Sequence, residues 1–192
     1  MNPTAFRGPL NDGWLPDAEP RPSPNQDARP VGQSIDLLVI HNISLPPGHF
    51  GGPWIDDLFL NRLDPSVHPF FRQIANRRVS AHLLIRRDGA LIQYVGLWQR
   101  AWHAGESLFA GRRACNDFSI GIELEGTDEV PYTAAQYRVL VGTIRQILAC
   151  CPRIDWGRIV GHSDIAPGRK TDPGPSFDWA RLRRQLAIEP GS

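Results

Sequence analysis

The sequence has few cysteines, and their arrangement does not suggest a disulfide framework. Three occur in 192 residues, Cys115, Cys150 and Cys151, an odd number with two of them adjacent. Cys150 and Cys151 lack a CxxC partner pair and close a predicted helix, so they read as small buried side chains rather than metal ligands. This usage suggests a reducing, cytoplasmic compartment with free thiols. No leader segment is expected from MNPTAFRGPLNDGWLPDAEP, which has neither a basic start nor an apolar core. No apolar run approaches the roughly 20 residues of a membrane-spanning helix. Neither sign of charge is in excess. The 21 Lys and Arg against 20 Asp and Glu leave a formal net charge of +1, which argues against charge-driven binding to nucleic acid or an anionic membrane. The chain shows no internal repeat, no Gly-rich phosphate loop and no Ser/His/Asp constellation.

What the chain does have is length for one domain with a sizeable core, together with 18 Pro and 6 Trp. These suggest a loop-rich surface with aromatic walls, suited to a cleft for a bulky polar ligand. Residues 1–33 are Pro-rich, without apolar periodicity, and read as an N-terminal arm, disordered or lying along the domain; Trp14 favours an anchoring contact. Residues 34–192 form the domain.

The apolar run Ile35–Ile40 is expected to be a strand buried on both faces and ending at His41-Asn42. Ser44–Pro53 is a Gly/Pro loop. Trp54–Leu63 and Pro69–Arg78 carry helical spacing. Val79–Ile85 and Ala90–Val95 read as strands joined by the Asp88-Gly89 turn, with His82 a hydrogen-bonded structural histidine inside the first. Ser119–Gly126, SIGIELEG, puts Ile120, Ile122 and Leu124 on one face and Gly121, Glu123 and Glu125 on the other. An acid on the inner face of a core strand is costly unless paired or functional, so Glu123 is a candidate general base, against the alternative of a half-exposed strand with outward acids. Thr133–Cys151 is the clearest helix, with capping-box spacing at Thr133 and Gln136. Phe177–Ile188 closes the chain as an amphipathic helix whose Arg181, Arg183 and Arg184 face solvent.

The stretch Gly161–Gly174 concentrates chemistry. A short apolar run ends at His162, as another ends at His41; rigid strand ends suit metal ligands. Pro173 biases Asp172 to an extended conformation, and residues two apart in an extended segment share a side, so Lys170 and Asp172 would face the same way. His and Asp both bind zinc. A cation beside a metal ligand can stabilise developing negative charge.

With Leu38–Gly48, Val79–His82, Ala101-Trp102-His103-Ala104-Gly105 and Cys115–Asp128, this stretch resembles the zinc N-acetylmuramoyl-L-alanine amidases, more narrowly the AmpD-type cytoplasmic 1,6-anhydro-muramyl-peptide amidases of cell-wall recycling. The likeness runs from about residue 35 to the last helix and leaves the arm outside it. It implies an α/β (α+β) single domain, with a mixed central β-sheet flanked by helices, shared with peptidoglycan recognition proteins and phage amidases. It implies one zinc ion per chain on His41, His162 and Asp172, Glu123 as catalytic acid and Lys170 as the cation for the tetrahedral intermediate. Asp172, where recognition proteins and phage amidases often use Cys, fits the recycling branch. Asn42, Arg78, Trp102 and His103 are expected at the sugar or peptide carboxylates. The implied substrate is an anhydro-muramyl peptide and the implied reaction is hydrolysis of its lactyl–L-alanine amide; a monomer is expected, with no nucleic-acid or membrane partner. The rival is a muropeptide-binding module without turnover, a kind of relative that typically lacks part of the zinc set; here the whole set is present.

Overall fold

The computed structural model describes residues 12–187. In chain order its elements are β1 (Glu19–Pro20), β2 (Gln26–Ala28), β3 (Leu37–Ile43), α1 (Trp54–Phe59), α2 (Phe71–Ile74), β4 (Leu83–Ile85), β5 (Leu91–Gln93), β6 (Gln99–Ala101), β7 (Leu108–Phe109), β8 (Arg112–Arg113), β9 (Ser119–Glu125), α3 (Ala134–Cys150), β10 (Ile159–Gly161), α4 (His162–Ile165) and α5 (Trp179–Ala187). Six strands form one sheet in the order β1-β5-β4-β9-β3-β10. It is mixed: β4 and β5 pair antiparallel, while β4–β9, β9–β3, β3–β10 and β1–β5 are parallel. The mixed sheet flanked by helices is the expected architecture.

The two central strands are apolar because both sheet faces are covered. Leu38 and Ile40 of β3 join Ile120, Ile122 and Leu124 of β9 beneath α3 and α5. With the two-residue period of a strand, Leu37 and Val39 turn to the other face, where they meet Phe118 and Ile165. On that side α1 and α2 pack Ile55, Phe59 and Phe71 against Leu84 and Ile92. Helix α3 starts at the expected capping box: the Thr133 hydroxyl accepts from Gln136 N at 3.1 Å, and Gln136 Oε1 accepts from Thr133 N at 3.0 Å, a cap contributing about 1 kcal/mol. Gln136 Nε2 also donates to Ile85 O and Glu125 O, tying the helix start to the ends of β4 and β9.

Several boundaries differ from the sequence reading. Strand β3 continues through Ile43, so His41 and Asn42 lie inside it, paired with β9, rather than just past its end. Only Leu83–Ile85 of the expected strand 79–85 pairs in the sheet; upstream of it, Ser80 N donates to Trp102 O. The helix at 54–63 stops at Phe59, ahead of Asn61 with its positive φ, and the one at 69–78 is a single turn. Residue 188 of the last expected helix, like residues 1–11 of the arm, lies outside the described residues.

The described part of the arm, residues 12–33, is threaded into the domain. β1 extends the main sheet beside β5, and β2 pairs antiparallel with β6. Leu15 is buried in the principal core. The Arg29 guanidinium is largely enclosed and donates to the carbonyls of Asn116, Asp117, Leu97 and Ser119. Among the described residues no helix is long and apolar enough to cross a membrane.

Candidate metal centre and catalytic cleft

Sheet register brings the chemistry together. His41 on β3 is the direct neighbour of Glu123 on β9, and Ile40 is the neighbour of Gly161 on β10. His162, one residue beyond Gly161, therefore stands level with His41. Three parallel strands thus deliver Glu123, His41 and His162 side by side at their C-terminal ends, where open α/β sheets commonly bind ligands. Asp172 arrives from the following loop, whose backbone is clamped by a bond from Ser163 N to Asp172 O of 3.0 Å. Gly174 lets that loop lie against the segment after β9: its φ is +80° and a Cβ there would come within 2.2 Å of Asp128 Cα.

His41 Nδ1, His162 Nδ1 and Asp172 Oδ2 form a nearly equilateral triangle with edges of 2.9, 3.0 and 3.1 Å. His162 Nε2 lies 3.0 Å from the Ala104 carbonyl. A carbonyl only accepts, so Nε2 carries the proton and a neutral His162 turns its Nδ1 lone pair into the triangle. Protons alone satisfy such a cluster poorly, whereas one cation satisfies all three atoms. Two imidazoles and one carboxylate are a zinc donor set, with a position left open for water or substrate; the three are the only such group of His, Cys and acidic side chains found among the described residues. Burial pushes the His41 pKa down to about 4, which keeps it neutral, as a ligand must be.

Glu123 and Glu125 point to the same face of β9, but only one is paired off. Glu125 accepts from Gly51 N at 2.6 Å and Arg87 N at 3.1 Å, and is structural. Glu123 is 9% exposed, and its Oε2 is buried with no hydrogen-bond partner. Burial, reinforced by the negative charge of Asp172 and opposed by Lys170, drives its pKa well above the usual carboxylate value. A carboxyl whose pKa is raised by burial is suited to taking and returning a proton. A cleft of about 330 Å³ has Glu123, Lys170 and the three triangle residues in its lining, with Phe59, Phe70 and Ile74 among its apolar contributors. A larger groove of about 560 Å³, lined by Arg29, Trp98, Cys150 and Cys151, holds none of these groups; the donor geometry, not the size, locates the site.

Asn42, Trp102 and His103 also line the cleft. Asn42 Nδ2 donates to Asp128 Oδ1 at 2.7 Å, and Trp102 Nε1 to Asp27 Oδ1 at 3.2 Å, a link between cleft and arm. Arg78 is not among the lining residues of the cleft, whereas its neighbour Arg77, exposed like it, is. His82 is structural, accepting from Gly121 N at 3.0 Å and facing Gln99 O at 3.1 Å. Sequence reasoning missed Ser119, Asn116 and the Ala104 carbonyl, which hold the site from behind. Asn116 Oδ1 accepts from both His103 N and Ala104 N. No spacing announces these contacts; the one visible signal was a glycine, Gly121, inside the strand Ser119–Glu125.

Comparison with known proteins defines the class. The profile of the N-acetylmuramoyl-L-alanine amidase family matches residues 31–175, and the chain belongs to that family of amide-bond hydrolases. Within it the likeness is to the AmpD type and extends over nearly the whole length. The chain is 60% identical over 180 residues to the 1,6-anhydro-N-acetylmuramyl-L-alanine amidase AmpD of Escherichia coli K12, covering 94% of this chain and 98% of that protein. A crystal structure of a Se-Met AmpD derivative superposes with a TM-score of 0.90 at 58% identity, covering 92% and 98% of the two chains. The E. coli amidase AmiD, solved in complex with anhydro-N-acetylmuramic acid-L-Ala-D-γ-Glu-L-Lys, is 30% identical with a TM-score of 0.58, covering 82% of this chain and 60% of that one.

Proposed function

We propose that this protein hydrolyses the amide between the lactyl group of 1,6-anhydro-N-acetylmuramic acid and L-alanine, as a zinc enzyme of peptidoglycan recycling in the cytoplasm. The observation that carries this reading is the unpartnered Glu123 carboxyl beside the triangle of His41, His162 and Asp172, in a chain of the amidase family. His41, His162 and Asp172 would hold the ion. When bound, zinc supplies Lewis acidity that acidifies water and polarises the scissile carbonyl.

The remaining work falls to the chain's own groups. Glu123 removes a proton from the attacking water and delivers one to the nitrogen of L-alanine as the C–N bond breaks, leaving the lactyl carboxylate and a free stem-peptide amine. Lys170, which lines the cleft together with Asp172, meets the negative charge growing on the carbonyl oxygen, an interaction stronger in the transition state than in the ground state. Trp102 and Asn42 present an aromatic face and an amide to the sugar, and Arg77 provides a cation for a stem-peptide carboxylate. The protein acts as a monomer, without nucleic acid or membrane.

The test is substrate-based. Zinc-loaded protein is incubated with anhydro-muramyl tripeptide and, separately, with an unrelated N-acetylated tripeptide, and products are separated by reversed-phase chromatography. Release of free stem tripeptide from the first alone is expected. Tight binding without release would identify a muropeptide-binding module instead, and equal cleavage of both would indicate a general peptidase.

A further inference from the structure

The second ring nitrogen of His41 has a partner that the catalytic scheme does not use. His41 Nε2 lies 2.9 Å from His103 Nδ1, with the rings edge-on at 83°. On its far side, His103 Nε2 lies 3.1 Å from Ser119 Oγ, and Ser119 Oγ lies 2.5 Å from the carbonyl of Cys115. The direction of this chain follows from its end. A carbonyl cannot donate, so the single Ser119 proton belongs to the 2.5 Å bond. Ser119 Oγ must then accept from His103 Nε2–H, which leaves the neutral His103 ring with an acceptor at Nδ1. His41 donates its Nε2 proton there and keeps Nδ1 unprotonated. The reverse direction would leave two oxygens 2.5 Å apart with no proton between them.

We infer that His103 is a positioning residue: the sequence Cys115 carbonyl, Ser119 hydroxyl and His103 imidazole fixes His41 in the tautomer and orientation that present its Nδ1 lone pair to the metal position. A ligating histidine ordinarily gives its other N–H to a carboxylate, a carbonyl or water. His162 follows that pattern with Ala104 O, whereas His41 uses a second imidazole whose own tautomer is set by a serine. The surroundings hold the relay in place. The His103 backbone is anchored by Asn116 Oδ1. Arg29 of the arm pins the carbonyls of Asn116 and Ser119. The absent side chain of Gly121 leaves room for the ring, since a Cβ there would come within 2.5 Å of His103 Cγ.

This rests on the reading that His41, His162 and Asp172 hold zinc, and the experiment separates the two. Zinc affinity of the full-length protein is measured by competition with a chromophoric chelator for wild type, His103→Leu, His103→Asn and Ser119→Ala, with circular dichroism on each. The Asn amide oxygen can occupy the place of Nδ1, whereas Leu offers no acceptor. Wild type binding one zinc, His103→Leu binding about 10–100-fold more weakly, and His103→Asn recovering most of the difference is the expected result, with Ser119→Ala in between. Wild-type affinity in His103→Leu, or equal loss in folded Leu and Asn variants, overturns the inference while leaving the zinc reading intact. Absence of zinc binding by wild type overturns the zinc reading itself. Imidazole nitrogen-15 shifts of zinc-loaded wild type give a check independent of any variant's folding: His103 is expected as the Nε2–H tautomer, and an Nδ1–H tautomer overturns the assignment.

Discussion

Replacing Gly121 with alanine adds one methyl group directly behind His103 and the candidate metal centre. The new Cβ would sit 2.5 Å from His103 Cγ, 2.6 Å from Nδ1 and 2.8 Å from Cδ2. To restore ordinary contact the ring must retreat by about 1 Å, and its hydrogen bonds, now 2.9 Å to His41 and 3.1 Å to Ser119, then stretch beyond useful length. Overpacking of this kind costs about 1–3 kcal/mol, and each buried hydrogen bond lost adds about 1 kcal/mol. The reduced freedom of alanine in the unfolded chain returns about 0.4–1 kcal/mol. The net expectation is a destabilisation of about 2–4 kcal/mol, a large share of the roughly 5–15 kcal/mol typical of a domain. Urea denaturation of metal-stripped Gly121→Ala against wild type measures it, and a double-mutant cycle with His103→Ala identifies the cause. If the clash with the ring is responsible, Gly121→Ala should be far less damaging once the ring is gone. Additive effects of the two changes, or a Gly121→Ala protein as stable as wild type, would refute this reasoning.

Further outcomes follow from the cleft and its support. Lys170→Met should keep its zinc and its KM but lose about a hundredfold in kcat, because the partner proposed for it is the transition-state charge; a kcat within a few-fold of wild type in steady-state assays removes Lys170 from the mechanism. Glu123→Gln should abolish most turnover yet stabilise the metal-stripped fold. Burial raises the Glu123 pKa above its ordinary value of 4.5, so wild type loses stability as pH rises through the folded-state value. The variant's advantage in Tm should therefore be clear at high pH and vanish toward pH 4.5; a difference independent of pH contradicts it. Arg29→Met strands four backbone carbonyls and should lower stability by about 3 kcal/mol in chemical denaturation, whereas a change below about 0.5 kcal/mol would mark the arm as dispensable.

The parts legible in the sequence were those fixed by local pattern. The Thr133–Gln136 cap and the apolar stripe behind it specify α3, and continuous apolar runs specify β3 and β9. The family motifs pointed to His41, His162, Asp172, Glu123 and Lys170; these residues line one cleft, and the register gives a physical reason for part of that convergence: His41 and Glu123 are cross-strand neighbours. What stayed hidden depends on partners distant in sequence. β1 and β2 are two and three residues long, too short to carry periodicity, and exist because β5 and β6 present free edges. Arg29 looks like any arginine in a Pro-rich arm until the fold surrounds it with carbonyls. His103 reads as a cleft histidine, and its bond to His41 emerges only when the 101–105 loop crosses over Gly121. Arg77 and Arg78 are adjacent exposed loop residues, and nothing local says which one borders the cleft.

The measurement that bears most directly on the whole reading is a zinc titration followed by product formation. Protein stripped with a chelator is given known increments of zinc, and stem-peptide release from anhydro-muramyl tripeptide is recorded at each. Activity should rise from near zero in proportion to added zinc and break sharply at one equivalent per chain, with no rise in a His162→Ala protein carried through the same titration. Full turnover in the stripped protein, or an undiminished response in His162→Ala, would contradict a reaction centred on His41, His162 and Asp172.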